Sequence, residues 1–320
     1  MVLRFIYSIL VVIIGLLPVS SFAQEGNIYL HNYNSKLDNH HTLSIYQGHN
    51  GLMYFINHKG IVSYDGVHWK NLSIHNTPES ESVAPGRAGK VYVGCHQNFG
   101  FISTDNLGNE KYISLNGKTK VEGDIVKIEF TQRHVYFFSA RAIYRVNLEN
   151  NKFDKYWVST RDYPFEGITM LNDKIYVQIK KKGIFEFKNE ILTYVTGSKE
   201  IGTNKVVSSF PFDSRQNLLA TDSNKVYLFD GVRLKPFKVE SQQYLNTNIV
   251  SCGTDLSATE FVLGTLSGGC VIIDKSTGNT KYTVNYQTGL PDDEITALGK
   301  DVQGGLWIAH ASGVTRADNN

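Results

Sequence analysis

The sequence predicts an all-β fold, a seven-bladed β-propeller made of four-stranded blades. One observation is a unit that occurs seven times: an apolar triplet, six to eight residues, a Gly or small residue, and an aromatic or aliphatic residue followed by Asp or Asn. A second is the spacing of this unit, 40 to 44 residues. Repeats of that length with β-rich content are typical of propellers with one blade per repeat. The small residue or its equivalent falls at Gly60, Gly100, Ala142, Gly183, Lys225, Gly269 and Gly313.

The two ends of the chain supply a third observation. The last repeat contains three predicted strands, near residues 294–300, 305–310 and 313–318, and a spare apolar segment, residues 28–33, precedes the first blade. A strand supplied by this segment would pair the open edge of the last blade. The sequence therefore predicts a ring whose seventh blade combines three C-terminal strands with one N-terminal strand.

The first repeat shows how each blade divides into strands and turns. Its four segments alternate or run apolar, and Gly and polar turns separate them. The predicted strands are residues 42–47, 51–57, 60–65 and 67–72. The dipeptides Asp65-Gly66 and Asp230-Gly231 join third to fourth strands and predict type I′ hairpins.

Aspartates recur at the ends of the third strands, at Asp65, Asp105, Asp230, Asp274 and Asp318. Repeated calcium loops are one interpretation. Their position before Gly-containing turns favours the other, in which each Asp caps its own turn. Trp69, Trp157 and Trp307 occupy strand positions and are expected to pack between blades.

Length and composition agree with one domain. The 320 residues are 41% hydrophobic and 12% aromatic, which is enough for a sizeable core. Because the repeat runs from about residue 27 to the end, residues 24–320 are predicted to form a single β-propeller domain. The 32 basic and 30 acidic residues give a net charge of +2 without long runs of either sign, so nucleic acid is not an expected partner.

Residues 1–23 predict a cleavable signal peptide. Arg4 precedes an apolar core of 13 residues, 5–17, and Ser21-Phe22-Ala23 places small residues where a signal peptidase cleaves, leaving Gln24 first. The alternative is an uncleaved anchor, although the apolar run is shorter than the ~20 residues that span a bilayer. We therefore expect an exported, periplasmic protein.

Cys95, Cys252 and Cys270 are the three cysteines of the chain. Their odd number and scattered positions form no disulfide framework, and each falls inside a predicted strand. Buried free thiols are expected. A Cys252–Cys270 bridge within blade 6 remains an open alternative.

The C-terminal repeat carries the most specific motif of the chain. It comprises Gly289-Leu290-Pro291, Ile295, Asp301, Gly304-Gly305-Leu306-Trp307-Ile308-Ala309 and Gly313-Val314. This motif resembles the regulator-propeller repeat, which forms the extracytoplasmic sensor part of many two-component and one-component regulators of Bacteroidetes-type bacteria. Blades 1 and 2 are similar to the same family in Gly51-Leu52-Met53-Tyr54-Phe55 and Val91-Tyr92-Val93-Gly94. The resemblance covers the predicted mature chain and is weaker in blades 3 to 6.

The resemblance implies a sensor, often of glycan-derived ligands. In that family a tyrosine-rich β-sandwich, a transmembrane helix and a histidine kinase or DNA-binding output domain follow the propeller. The sequence shows none of them after its last repeat, so we expect either a truncated regulator or a stand-alone propeller. Contact with a membrane would require those downstream segments.

The channel mouth is the expected position of a functional site. Propeller enzymes place their groups there, where the loops between second and third strands meet the connections between blades. These loops recur at one place in each repeat, so their side chains should surround a common axis. The predicted ligand-binding residues are His58, Gln97, Asn98, Arg141, Lys181, Asn224 and His310. Cationic and amide groups would bind an anionic or hydroxyl-rich ligand. The alternative is a set of unselective polar turns.

His58, His96 and His310 raise the alternative of a metal site or a general base. Seven-bladed antibiotic lyases, a second family that the chain resembles, use a His, acidic residues and a magnesium ion at this mouth. The loops between second and third strands contain a single acid, Asp222, and no paired-carboxylate spacing. We therefore expect no metal, no cofactor and no catalytic residue. His40-His41 is expected to lie in a loop.

The expected function is that of an exported ligand-sensing or interaction module, the extracytoplasmic sensor part of a signal-transduction regulator. Its expected partner is a small polar ligand, including glycan-derived ligands on the strength of the resemblance, or another protein. The alternatives are a metal-dependent enzyme of the lyase type and a scaffold that binds protein through its blade edges.

Overall fold

The computed structural model describes residues 28–33, 42–57, 59–72, 80–86, 90–104, 110–188 and 190–319. They form seven four-stranded antiparallel sheets in a ring, so the predicted seven-bladed β-propeller is confirmed. Leu30–Asp318 make up one compact unit. The predicted signal segment 1–23, the cleavage point before Gln24, and His40-His41 lie outside the described residues. No helix in the described ranges has the length and apolar content needed to cross a membrane.

Strands are numbered in chain order, and blades follow the order of their first strands. Blade 1 contains β2 (Thr42–Gln47), β3 (Met53–Asn57), β4 (Gly60–Tyr64) and β5 (Trp69–Leu72). Blade 2 contains β6 (Ser80–Pro85), β7 (Val91–Cys95), β8 (Asn98–Thr104) and β9 (Glu110–Ser114). Blade 3 contains β10 (Lys127–Phe130), β11 (His134–Phe138), β12 (Ala142–Asn147) and β13 (Phe153–Val158).

The later blades repeat the pattern. Blade 4 contains β14 (Phe165–Leu171), β15 (Lys174–Ile179), β16 (Gly183–Lys188) and β17 (Ile191–Tyr194). Blade 5 contains β18 (Val206–Pro211), β19 (Asn217–Thr221), β20 (Val226–Phe229) and β21 (Leu234–Pro236). Blade 6 contains β22 (Val250–Asp255), β23 (Glu260–Thr265), β24 (Cys270–Asp274) and β25 (Thr280–Val284). Helix α1 (Gln242–Asn248) and two 3₁₀ turns, Ser198–Thr203 and Tyr286–Thr288, lie in connections between blades.

Blade 7 closes the ring as the sequence predicts. It contains β26 (Ile295–Lys300), β27 (Leu306–His310), β28 (Gly313–Asn319) and, as its outermost strand, β1 (Ile28–Asn32). Tyr33 extends this pairing by donating its backbone N–H to the Val314 carbonyl at 2.8 Å. At the inner edge β26 contacts β2, and the Thr296 hydroxyl donates to the Thr42 carbonyl at 2.7 Å. The first and last blades are therefore joined by strands from both ends of the chain.

The core of the propeller lies in the seams, by which we mean the interfaces between neighbouring blades. Second strands are the most buried elements, and every residue of β3, β7, β19 and β27 is buried. A strand covered on both faces needs apolar side chains on both faces. This explains the apolar triplets of the repeated unit. A strand buried on one face only would instead alternate apolar and polar residues.

An aromatic cluster fills the seam between blades 7 and 1. The Tyr33 ring stacks on Trp307 with centroids 5.6 Å apart, and Tyr64 stacks on Trp69 at 4.4 Å. Phe55 contacts both tryptophans, at 5.1 and 5.3 Å. The predicted role of Trp69 and Trp307 in inter-blade packing is confirmed, and Trp157 packs on Phe187 at 4.7 Å in the seam between blades 3 and 4.

Asp301 explains the specific motif of the last repeat. One oxygen of its buried carboxylate accepts hydrogen bonds from the Trp307 indole (3.0 Å) and the Arg316 guanidinium (2.8 Å). The other accepts from the backbone N–H of Gly305 at 2.8 Å and of Gln303 at 3.0 Å. Burial alone would raise the pKa of Asp301, but these hydrogen bonds outweigh it and hold that pKa below its usual value. The specific motif of the last repeat therefore contains Asp301, Gly305 and Trp307 together because they form one hydrogen-bonded unit.

The turns after the third strands differ from the predicted type I′ hairpins. A type I′ turn needs positive φ at both central residues. Here Gly66 (φ 101°) and Gly231 (φ 91°) are positive, whereas the aspartates before them are not. Each Asp side chain instead accepts two backbone N–H groups, Val67 and His68 in the case of Asp65. The type I′ prediction is wrong, and turn capping by Asp65, Asp230 and Asp274 is confirmed.

The small residue of the repeat is displaced in blade 2. Elsewhere it lies at or just before the start of the third strand, but in blade 2 that place belongs to Asn98, which pairs with Cys95. Gly100 lies two residues further along β8. A side chain at Gly100 would place its Cβ 2.2 Å from the Ile113 carbonyl oxygen, so Gly is needed here for the close approach of β9.

None of the three cysteines forms a disulfide. Cys252 and Cys270 both pair with Gly264 of the intervening strand, so two inter-strand spacings of about 4.8 Å separate them. That separation exceeds the ~7 Å Cα distance that a disulfide can bridge. The Cys252–Cys270 alternative is wrong, and desolvation raises the pKa of Cys252 to about 12.

Substituting Asp301 tests whether this carboxylate supports blade 7. Asp301→Ala should lower the free energy of unfolding by about 3 kcal/mol, because it leaves the Arg316 charge and the Trp307 N–H without their buried acceptor. Asp213→Ala is the matched control, since Asp213 accepts only two backbone N–H groups in an exposed turn of blade 5. It should cost less than about 1 kcal/mol in the same chemical denaturation experiment.

The pH dependence of the same variant gives an independent readout. Because the pKa of Asp301 is depressed in the folded state, its ionised form contributes stability at neutral pH. The difference in stability between wild type and Asp301→Ala should shrink as the pH falls through that pKa. Equal losses for Asp301→Ala and Asp213→Ala, or a difference independent of pH, would contradict this role.

Candidate functional site

The antiparallel order of each blade sorts its loops onto two faces of the ring. We call the face with the loops between second and third strands the mouth face; the connections from one blade to the next lie there too. Within the described residues its loops are residue 59 and residues 96–97, 139–141, 180–182, 222–225, 266–269 and 311–312. We call the face with the loops between first and second, and third and fourth, strands the rear face.

Bulges bend the first strands where they reach the mouth face. In six blades the register between first and second strands shifts by one residue near the beginning of the first strand. An extra residue on one strand twists it and re-aims nearby side chains. The extra residues are Leu43, Glu81, Glu166, Val207, Ser251 and Thr296. In blade 3, Asp124 instead makes an isolated bridge to His96.

Gln97 and Asn98 lie together at the blade 2 loop, as predicted. Gln97 is exposed and adopts a left-handed conformation with φ 49°. The Asn98 side-chain oxygen already accepts hydrogen bonds from the Tyr112 hydroxyl at 3.2 Å and the Ser114 hydroxyl at 3.0 Å. Its carbonyl group is therefore largely engaged within the blade. His58, the predicted residue of blade 1, lies outside the described residues.

Arg141 and Lys181 are exposed on the loops of neighbouring blades. The two loops are held together by backbone hydrogen bonds through residues 164–165: Phe165 N donates to Ala140 O, and Lys180 N to Pro164 O. Neither the Arg141 guanidinium nor the Lys181 ammonium makes an ion pair or hydrogen bond within the described part of the chain. The structure thus brings two uncompensated cations to one side of the mouth face.

Asn224 and His310 are buried, with 8% and 1% of their surface exposed. The Asn224 side-chain oxygen accepts the Val250 backbone N–H at 2.7 Å, tying blade 5 to the start of blade 6. His310 Nε2 lies 2.9 Å from the Thr315 hydroxyl, which donates to Asn32 Oδ1 at 2.7 Å. Since Thr315 gives its proton to Asn32, His310 Nε2 carries the proton in this bond. Both residues serve the framework of the ring.

His310 is neutral at physiological pH. Burial lowers the pKa of its imidazole to about 4, and the charge of Asp292 opposes this only in part. Its other nitrogen, Nδ1, is buried without a hydrogen-bond partner. A neutral, enclosed imidazole cannot meet a ligand at the mouth face without movement of the blade.

Acidic residues of the mouth face come from segments that sequence reasoning did not consider. Asp124 lies in the connection before blade 3, and its Oδ1 is 2.5 Å from His96 Nδ1. Glu166 is the bulge residue of β14 and lies 3.8 Å from the Lys180 ammonium. Asp292, in the connection before blade 7, accepts the Ser312 hydroxyl at 3.1 Å. These segments precede or begin the first strands, and that recurring place in the repeat could have identified them.

Glu166 is the most perturbed carboxylate of this group. Burial raises the pKa of Glu166; the positive charge of Lys180 lowers it, and the negative charge of Asp222 raises it further. Among the described residues no three His, Cys, Asp or Glu side chains are close enough to hold a metal ion. The mouth face therefore offers a mixed arrangement of paired acids and uncompensated cations.

Solved structures that share the fold include sensor domains and an enzyme. The extracellular domain of a hybrid two-component system from B. thetaiotaomicron matches with a TM-score of 0.71 and 13% identity, over 91% of this chain and 40% of that one. A second such domain from the same bacterium gives 0.67 and 14%, over 92% and 42%. Virginiamycin B lyase from Staphylococcus aureus gives 0.69 and 12%, over 92% and 100%. No protein-family model and no curated protein sequence matches the chain.

These likenesses establish the fold, because sequence identities of 12 to 14% do not transfer a site. The predicted resemblance to extracytoplasmic sensor propellers is confirmed at that level. This chain spans about two-fifths of the length of the two sensor domains. The lyase shares the fold to the same degree, so the function has to be argued from residues.

Asn224→Ala tests the division between framework and exposed residues. The variant should lower the free energy of unfolding by about 1–3 kcal/mol, because the buried Val250 N–H loses its acceptor. Alanine would also have to adopt the left-handed conformation of Asn224, φ 63°. Arg141→Ala, the exposed control, should change stability by less than about 0.5 kcal/mol in thermal and chemical unfolding. Equal stabilities for the two variants would contradict this division.

Proposed function

We propose that the protein is an exported, non-catalytic β-propeller that binds a small polar or anionic ligand at its mouth face as the sensing part of a signalling receptor. The observation that carries the proposal is the pair of uncompensated cations, Arg141 and Lys181, on neighbouring blades. Ligand pockets combine a shaped surface with a few fixed polar groups. Two cations that the protein itself leaves unpaired supply such groups for an anion.

The backbone around both cations is held in place. The Arg141 backbone N–H donates to the Ser139 hydroxyl at 3.2 Å, and that hydroxyl donates to the Glu122 carbonyl at 2.7 Å. On the neighbouring loop the Lys181 N–H donates to the Gly202 carbonyl at 2.6 Å. Fixed backbones reduce the entropy that binding must remove, so only the side-chain ends need to order on a ligand.

The sensing role rests on the fold. Propellers of this fold occur in extracellular domains of two-component systems, in which they form part of a longer chain. An exported propeller that binds a ligand suits the same task. Transmission of the signal across the membrane and the output would then belong to polypeptide outside the propeller. In this proposal the predicted signal peptide, residues 1–23, directs the propeller to the periplasm.

Ligand binding by variants of the mouth face tests the proposal. Uronic-acid oligosaccharides, their neutral counterparts and small anions are the probes, screened by thermal shift and measured by calorimetry. Arg141→Ala and Lys181→Ala should each weaken an acidic ligand about ten- to a hundredfold, the effect of losing a charge-assisted hydrogen bond. Lys235→Ala, an exposed lysine on an outer strand of blade 5, is the matched control and should bind normally.

The same screen can refute the proposal. A ligand whose affinity is unchanged in both Arg141→Ala and Lys181→Ala binds elsewhere. If only neutral ligands bind, the two cations are not the recognition groups.

The His96–Asp124 pair favours a second candidate, an enzyme of the lyase type. A carboxylate on Nδ1 holds the imidazole in the tautomer whose Nε2 can accept a proton, which is how histidine bases are oriented. Both side chains are about half exposed at the mouth face. We give this candidate second place because the described residues do not bring a third His, Cys, Asp or Glu to the pair to hold a metal ion.

Turnover assays separate the two candidates. The proposal predicts that neither the wild type nor His96→Ala converts any ligand found in the screen, with or without Mg²⁺. Product formation that needs a divalent metal, and that falls by about a hundredfold or more in both His96→Ala and Asp124→Asn, would replace the sensor proposal with the enzyme. Lys235→Ala again serves as the control for protein quality.

A further inference from the structure

A pocket lies on the rear face, in the seam between blades 2 and 3. Its volume is about 660 Å³, within the usual range for small-molecule sites. Lys90, at the start of β7, forms one wall, and residues 132–133 and 147–149 of two blade 3 turns form the other. We call it the rear pocket. It lies on the opposite face of the ring from Arg141 and Lys181.

Lys90 is held in a defined position in the rear pocket. Its ammonium donates to the Asn151 side-chain oxygen at 3.0 Å and lies 4.6 Å from the centre of the Phe101 ring. Both partners are neutral, so they orient the cation without cancelling its charge. A lysine fixed by an amide and an aromatic ring is ready to receive an anion.

Arg133 brings a second cation to the same pocket. It is exposed in the turn between β10 and β11, and its guanidinium makes no ion pair or hydrogen bond within the described ranges. Backbone contacts fix the turn: the Arg133 carbonyl accepts Leu148 N–H at 2.9 Å, and the Gln132 N–H donates to Asp173 of blade 4 at 2.6 Å. Arg133 can therefore point a planar group with several donors into the pocket.

Tyr92 supplies a polar group at the base of the rear pocket. Its ring is 1% exposed and is packed by Phe101, Phe130 and Phe137 at centroid distances of 5.3 to 6.2 Å. Within the described residues its hydroxyl has no hydrogen-bond partner, and Tyr92 lines the pocket. Burial raises the pKa of Tyr92, so the hydroxyl stays protonated and can donate.

Several cations elsewhere on the propeller are paired with acids. Three ion pairs outside the rear pocket satisfy the lysine or arginine side chain within the protein. They are Arg145–Glu190, Lys300–Asp255 and Arg316–Asp301, with N···O distances of 2.9, 2.6 and 2.8 Å. The rear groove between blades 7 and 1 is smaller, about 300 Å³, and contains the Arg316–Asp301 pair. Lys90 and Arg133 differ from these three cations because neither forms an ion pair within the described residues.

We propose that the rear pocket binds a small organic anion that also carries hydroxyl or amino groups. Lys90 and Arg133 would hold the anionic group, and the Tyr92 hydroxyl would donate a further hydrogen bond. Glu149 lines the same pocket and would accept hydrogen bonds from hydroxyl or amino groups of the ligand. A simple anion lacks such groups and would face Glu149 unfavourably, so hydroxy acids, sugar acids and amino acids form the preferred class.

Calorimetry with defined probes tests the rear pocket on the full chain. The probes are glucuronate, gluconate, tartrate and glutamate, with glucose as a neutral comparison and acetate as an anion without donors. At least one of the first four should bind more tightly than glucose and acetate. Arg133→Ala should weaken that probe about ten- to a hundredfold, and Tyr92→Phe, which keeps the packed ring, should weaken it severalfold.

Two control variants locate the binding. Arg233→Ala removes an exposed arginine of the rear face outside the pocket and should leave the affinity unchanged. Arg141→Ala removes a mouth-face cation and should also leave it unchanged, which separates this site from the proposed mouth site. The inference is overturned if none of the four probes binds at millimolar concentration, if Arg133→Ala and Tyr92→Phe bind like wild type, or if Arg141→Ala alone abolishes binding.

Discussion

Closure of the ring by β1 and β28 is the interaction on which the rest of the structure depends. Each blade buries its second strand only because a neighbouring blade covers each of its two faces. A ring has no terminal blade only if its ends meet. β1 pairs the open edge of β28, while β26 packs on β2 at the channel. The aromatic cluster around Trp307 and the buried Asp301–Arg316 pair lie at this junction, where the chain has no covalent continuity.

Cations of the propeller differ in whether an acid of the protein pairs with them. Along the seams, cations such as Arg145 and Lys300 are paired with acids of a neighbouring blade, which locks the blades in register. Each proposed site contains two cations without an ion pair in the described residues, Arg141 and Lys181 at the mouth face and Lys90 and Arg133 in the rear pocket. Because paired charges contribute to the framework and unpaired ones remain available to a ligand, this difference marks both binding proposals.

The sequence predicted the fold well and the site only partly. Strand positions in blades 1 and 7 and the closing strand at 28–33 followed from periodicity, which reflects burial on alternate or both faces. The mouth residues followed from their place in the repeat, but position alone did not separate exposed Arg141 from buried His310. Asp124 and Glu166 were missed because they come from connections and bulges, whose side-chain directions depend on the neighbouring blade.

By itself, the sequence determined the number of blades, the strand order within each blade, and the joining of the two ends. Those properties follow from local hydrophobic patterns repeated at a constant spacing, and every repeat adds evidence for the same answer. Only the tertiary structure decided which charges are paired, which histidine is enclosed, and that Gly264 keeps Cys252 apart from Cys270. Such outcomes depend on distances between residues of different strands, and the register of the strands within a blade and of neighbouring blades sets those distances.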